Sequence, residues 1–137
     1  MSKLSVLTLT RNRTEHLQNL LKGLSLSSRL PDECIVVHMN EPAPALGDWP
    51  FPCHHLTYEN AEIPLPLPGA RNAAVESANG DLLLFLDVDC IPAKEMVAGY
   101  ERACEQMPNA IAMGNVHYLP EKIAADWTEE SLKAQSD

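Results

Sequence analysis

Two hydrophobic periods alternate along this chain, and the switching between them predicts its elements. Residues 4–10 form a short, largely apolar run that reads as a first buried strand. Leu17, Leu20, Leu21 and Leu24 then recur at i, i+3, i+4 and i+7, marking one helix face, with Thr14 placed to cap it. A Pro31-Asp32 turn precedes a second strand at 34–38. Residues 41–52 hold four prolines and read as a loop, followed by a third, edge-type strand at 54–58. Pro64, Pro66 and Pro68 exclude a regular element over 63–69. A helix over 70–78 closes at Asn79-Gly80. The run at 82–86 is apolar enough to be buried on both faces, as in a parallel sheet. Pro92 suits the first turn of a helix to about residue 106, 110–116 reads as a fifth strand, and 121–135 is weakly helical. Strands alternating with helices predict an α/β fold with a mainly parallel sheet.

In such sheets ligands bind at the carboxyl ends of the strands, and Thr10, His38 and Asp87 all fall there. Asp87-Val88-Asp89 carries the chemistry. In extended backbone residues i and i+2 point the same way, so the two carboxylates share a side and Val88 faces away. Like charges about 4 Å apart repel by roughly 4 kcal/mol at an effective dielectric near 20. A retained proton or a bound cation resolves that repulsion, and oxygen ligands suit Mg²⁺ or Mn²⁺, which bridge to phosphates. The plainer alternative is that both carboxylates satisfy turn amides.

Composition narrows the class. The chain has 137 residues, 45% hydrophobic and 21% charged, which suits a soluble globular domain with a real core. A net charge of −9 argues against a nucleic-acid surface and requires a polyphosphate ligand to be attracted locally, by a metal or placed arginines. Cys34, Cys53, Cys90 and Cys104 contain no C-x-x-C pair and read as reduced thiols of an intracellular, cytoplasmic protein. The start has no signal-peptide design, and no run approaches the ~20 apolar residues of a membrane span.

Several stretches together resemble a known family. SVLTLTRNRTEHL from Ser5 to Leu17 is similar to the first strand, Asn-Arg turn and helix of the family 2 glycosyltransferases of GT-A fold. PDECIVV from Pro31 to Val37 resembles that family's second strand. GARNAAVESANGDLLLFLDVD from Gly69 to Asp89 resembles its Arg-Asn helix, Gly-acid turn, apolar strand and Asp-x-Asp motif, in order and at matching spacing. The resemblance implies a Rossmann-like GT-A domain over 1–119 that binds a UDP- or GDP-linked sugar through Mn²⁺ or Mg²⁺, for inverting transfer to an unknown acceptor. Residues 120–137 would then lead into an acceptor half that carries the catalytic base, so the chain reads as catalytically incomplete. Residue by residue, Asp87 would approach the ribose and Asp89 the metal on the diphosphate. Arg71 would assist the phosphates, and Thr10, Arg11, Asn12 and His38 would line the nucleotide pocket. Three positions depart from the family: Arg11 stands where an aromatic residue often stacks on the base, His38 where an acid reads it, and Ala74 where Gly is favoured.

Other readings stand beside this one. The chain could be a nucleotide- or partner-binding module without turnover. A haloacid-dehalogenase-like phosphatase is the second enzyme class, but its motif normally continues into a Gly-Thr turn, where this chain has Cys90-Ile91-Pro92. Nucleotidyltransferases would need a Gly-rich opening loop. Cys53-His54-His55 invites a metal, yet neighbours in a strand face opposite ways, so structural or surface roles are expected. Arg13 reads as a surface ion-pair residue and His117 is left unassigned. Ile123 and Trp127 form a packing pair whose surface, if uncovered, would favour self-association.

Overall fold

Four parallel strands build the sheet. In this computed structural model residues 2–136 are described. The chain runs β1 (Leu4–Thr10), α1 (Thr14–Ser25), β2 (Glu33–Met39), β3 (Cys53–Tyr58), α2 (Leu67–Ser77), β4 (Leu82–Phe85), α3 (Met96–Gln106) and α4 (Glu129–Gln135). The expected fold class holds: α/β, a parallel sheet with helices on both faces. From β1 the chain steps outward to β2 and β3, then returns to lay β4 on the other side of β1. The reversal makes the β1–β4 boundary the switch point, where the strand ends leave a crevice.

Strand alternation sends one residue set to each face. On one face Leu4 and Val6 of β1 and Cys34 and Val36 of β2 pack under Leu17, Leu20, Leu21 and Leu24 of α1, with Val97 of α3. Each of those leucines, fully buried, stabilises the fold by about 2 kcal/mol. On the other face Leu7, Ile35, Val37 and Met39 meet Ala70 and Ala74 of α2. The small alanines let that helix sit close to the strands. At the amino end of the sheet the Glu33 carboxylate accepts from Ser5 Oγ (2.6 Å), the Asn79 backbone N–H (2.6 Å) and Asn79 Nδ2 (3.1 Å). These bonds tie the start of β2 to the turn before β4.

Several elements differ from expectation, each for an identifiable reason. Thr14 is the first helical residue and Arg13 the N-cap, with no side-chain cap bond. Helix α2 starts at Leu67, because Pro68 sits in its first turn, where a missing N–H costs nothing. Helix α3 starts at Met96, so Pro92 lies before it and packs on α1 instead. Strand β4 is an edge, and α2 lies over β1 to β3. Leu84 is therefore buried while Leu83 and Phe85 are exposed, so burial on both faces does not hold. Residues 110–116 form no strand, and Ile111 and Met113 are almost fully exposed.

Only 129–135 of the C-terminal stretch is helical, opened by a reciprocal Thr128–Ser131 capping box. Trp127 is buried, not exposed. Its Nε1 donates to Asn19 Oδ1 (2.9 Å), Lys22 Nζ donates to its carbonyl (2.7 Å), and Lys22 Nζ lies 4.1 Å over its ring. The indole thereby straps the C-terminal segment to α1. No helix among the described residues is long and apolar enough to cross a membrane.

Candidate functional site: a cleft at the carboxyl ends of β1 and β4

A cleft of about 350 Å³ opens at the switch point. Thr8, Thr10, Arg11 and Arg13 line it from the end of β1, Arg71 from α2, and Asp87 and Asp89 from the turn after β4. The topology thus brings together residues more than seventy positions apart.

The Asp pair reaches the cleft by a different route from the one alternation predicts. Strand β4 ends at Phe85, and one further ladder bond joins Leu86 N–H to the Leu7 carbonyl (3.0 Å). The Asp87 carbonyl then accepts from the Cys90 N–H (2.9 Å), closing a turn with Val88 and Asp89 at its centre. Val88 packs against the α1-side core, and both carboxylates stay exposed. A ligand atom from each of Asp87, Asp89 and Cys90 lies within 4.8 Å of the others. Burial, with the charges of Asp89 and Asp87, pushes the Cys90 thiol above its ordinary value. It therefore stays protonated and is a poor ligand for a hard ion, whereas two exposed carboxylates leave coordination positions open to phosphate oxygens and water. The donor set suits Mg²⁺ or Mn²⁺.

The loop after β1 is braced against the loop after β2. Arg11 Nη1 donates to the carbonyls of Met39 (3.1 Å) and Asn40 (3.0 Å). The Asn12 backbone N–H donates to the Glu41 carboxylate at 2.7 Å. Asn12 and Asn40 both take left-handed backbone (φ 54° and 53°), which Asn tolerates better than most residues. Asn40 also donates to the carbonyls of Asn60 (3.1 Å) and Ile63 (2.9 Å), and accepts from the Asn60 N–H (2.7 Å). One asparagine thus holds the end of β2 to the segment that delivers α2 and Arg71.

Thr10, Arg11, Arg71, Asp87 and Asp89 converge on the cleft as the sequence leads one to expect; Asn12 and His38 do not line it. His38 is buried, with its Nε2 2.9 Å from His55 Nδ1. Asn12 belongs to the neighbouring surface of the same turn. Sequence reasoning missed four contributors. Arg13 lines the cleft and is not merely a surface charge. Thr8 Oγ1 is buried without a hydrogen-bond partner, and its i, i+2 relation to Thr10 was the available signal. Phe85 presents a half-exposed ring because β4 is an edge, a fact absent from the local pattern. Glu41 is the acid that anchors the turn, three residues beyond His38, where the family has an acid.

The fold has solved counterparts. TarS of S. aureus superposes with a TM-score of 0.60 at 21% identity, over 76% of this chain and 20% of that one. TarS 1-349 gives 0.61 at 20% identity, over 82% of this chain and 38% of that one. TarS 1-349 in complex with UDP gives 0.59 at 22% identity, over 76% and 32%, and the complex with UDP-GlcNAc gives 0.59 at 21%, over 76% and 31%. The chain therefore spans between a fifth and two fifths of the length of these solved chains. No curated protein matches the sequence. The family model described as glycosyl transferase family 2 matches residues 5–133, nearly the whole chain, and the protein belongs to that family.

Proposed function

We propose that this chain is the donor-binding domain of a glycosyltransferase, taking a nucleoside-diphosphate-linked sugar into the β1–β4 cleft. The observation that carries the reading is the convergence of three arginines and two carboxylates on one cleft at the switch point of a parallel sheet. In a chain of net charge −9, Arg11, Arg13 and Arg71 concentrate positive charge where a diphosphate would lie. Asp87 and Asp89 would hold the divalent ion, which when bound neutralises the charge gathering on the leaving diphosphate. Asp87, in the same cleft lining as the end of β1, would meet the ribose. Arg71 gives the phosphates a planar guanidinium fork, while Arg11, held by two carbonyls, keeps the turn beneath the base in place. Phe85 offers the cleft an aromatic face for the base. TarS complexes with UDP and UDP-GlcNAc, on the same fold, make uracil the first base to test.

Transfer itself is proposed as a direct, inverting displacement on the anomeric carbon. It requires a base to deprotonate the acceptor hydroxyl, and that role is assigned to no residue of this cleft. Calorimetric titration with UDP and GDP, with and without Mn²⁺, tests the reading. Binding of one nucleotide only when metal is present is the expected result. A folded sample that binds neither would remove the donor-site proposal and favour a partner-binding module.

A further inference from the structure

The edge strand β3 and its neighbour β2 carry a second group of reactive side chains, none of them lining the cleft and none used above. Parallel register pairs Cys34 with Cys53 and Val36 with His55. Paired residues of parallel strands face the same way, and so do residues i and i+2 of one strand. Cys34, Cys53, His55 and His38 therefore share the α1-side face, which the adjacency of Cys53, His54 and His55 had hidden. Cys53 Sγ lies 3.6 Å from His55 Nε2, and His55 Nδ1 lies 2.9 Å from His38 Nε2. The two rings stack at 5.1 Å between centroids. The groups form a row and not a ring; among the described residues no metal-sized convergence occurs here. A thiol, an imidazole in contact with it and a second imidazole orienting the first is the arrangement of an activated nucleophile.

We propose that Cys53 is an oxidation site, a peroxide-reactive thiol whose oxidised form is resolved by Cys34 into a Cys34–Cys53 disulfide. Access assigns the roles: Cys53 opens the outer strand β3 and is partly exposed, while Cys34 is fully buried. His55 accepts the Cys53 proton on Nε2 while its Nδ1–H donates to His38. The thiolate attacks one peroxide oxygen, the O–O bond breaks, and the leaving hydroxide takes the proton from His55 as water. The resulting sulfenic acid is attacked by Cys34 sulfur; the S–O bond breaks, and hydroxide leaves with the Cys34 proton as a second water. Two thiols lose two electrons and the peroxide gains them. Neighbouring strands stand about 4.8 Å apart, within the Cα separation a disulfide requires. The protonation pattern agrees. The hydrogen bond from Cys34 draws the Cys53 thiol below its ordinary value and holds Cys34 well above its own. Burial first, then the neighbouring histidine, keeps His38 and His55 below theirs, hence neutral and able to accept.

The test is peroxide treatment of the intact chain, followed by alkylation and peptide mass spectrometry. A linked Cys34–Cys53 peptide pair, reversed by dithiothreitol, is expected, forming at least about tenfold faster than in His55→Gln. Cys34→Ala, checked for folding by circular dichroism, should stop at a sulfenic acid that dimedone captures on Cys53. His38 acts through His55 as a positioning residue, so His38→Gln, which can still accept the Nδ1 bond, should retain most of the rate that His38→Leu loses. No linked pair in the unmodified chain, or peroxide uptake at Cys53 no faster than at Cys104, would overturn the proposal.

Discussion

At the scale of single residues, environment decides which carboxylates bind and which hold the fold. Asp89 is exposed in a turn, and its carboxylate makes no hydrogen bond or ion pair with the described residues. Asp89→Asn is expected to abolish metal-assisted nucleoside-diphosphate binding in calorimetry while changing stability by less than about 0.5 kcal/mol. Glu33 is the opposite case, buried and accepting three hydrogen bonds. Burial pushes its carboxyl up, but the bonds from Ser5 and Asn79 outweigh that and leave it below its ordinary value. A depressed carboxyl adds stability above its unfolded pKa, and that stability is lost as pH falls through the folded value. Glu33→Gln should therefore cost about 1.5 kcal/mol at pH 7 by urea denaturation, with the gap to wild type shrinking as the pH drops below 4.5, the ordinary value. A gap that stays constant with pH would assign Glu33 a purely steric role.

At the scale of elements, close approach outranks propensity. Gly23 lies inside α1, where alanine would gain about 0.9 kcal/mol of helix propensity. A Cβ there would stand 2.8 Å from Pro92 Cδ and 3.2 Å from Ile91 Cγ2. The pyrrolidine ring cannot rotate away, and overpacking costs about 1–3 kcal/mol. Gly23→Ala is expected to lower the melting temperature, and a rise would mean that the segment after the Asp pair is free to shift. That segment begins only two residues beyond Asp89, so this glycine supports the turn that presents the carboxylates.

At the scale of the whole molecule, the C-terminal segment closes the α1 face. Trp127 joins it to α1 through a buried indole, the bond to Asn19 and the ammonium of Lys22. Trp127→Ala should cost about 3 kcal/mol, read by urea denaturation, and strip hydrogen-exchange protection from 125–136 before the sheet loses its own. Uniform loss of protection would mean that the segment and the sheet unfold as one unit. The β4 edge stays partly uncovered: Leu83 is exposed there, and the half-exposed Phe85 lines the cleft.

The amino-acid sequence by itself determined what local periodicity encodes. The buried runs of β1 and β2, the leucine face of α1 and the alternation that makes a parallel sheet were all legible, because burial on a fixed period is written in neighbouring residues. Arg71, Asp87 and Asp89 were legible as a group only through their spacing within an ordered set of elements. Tertiary structure alone decided the rest. Strand order made β4 an edge and exposed Phe85. Packing against α1 buried Trp127, and backbone carbonyls captured Arg11. Cross-strand register aligned Cys34 with Cys53 and carried His38 away from the cleft to His55. Each of these depends on which segments become neighbours in space, and a pattern read along one segment holds no information about the partner it will meet.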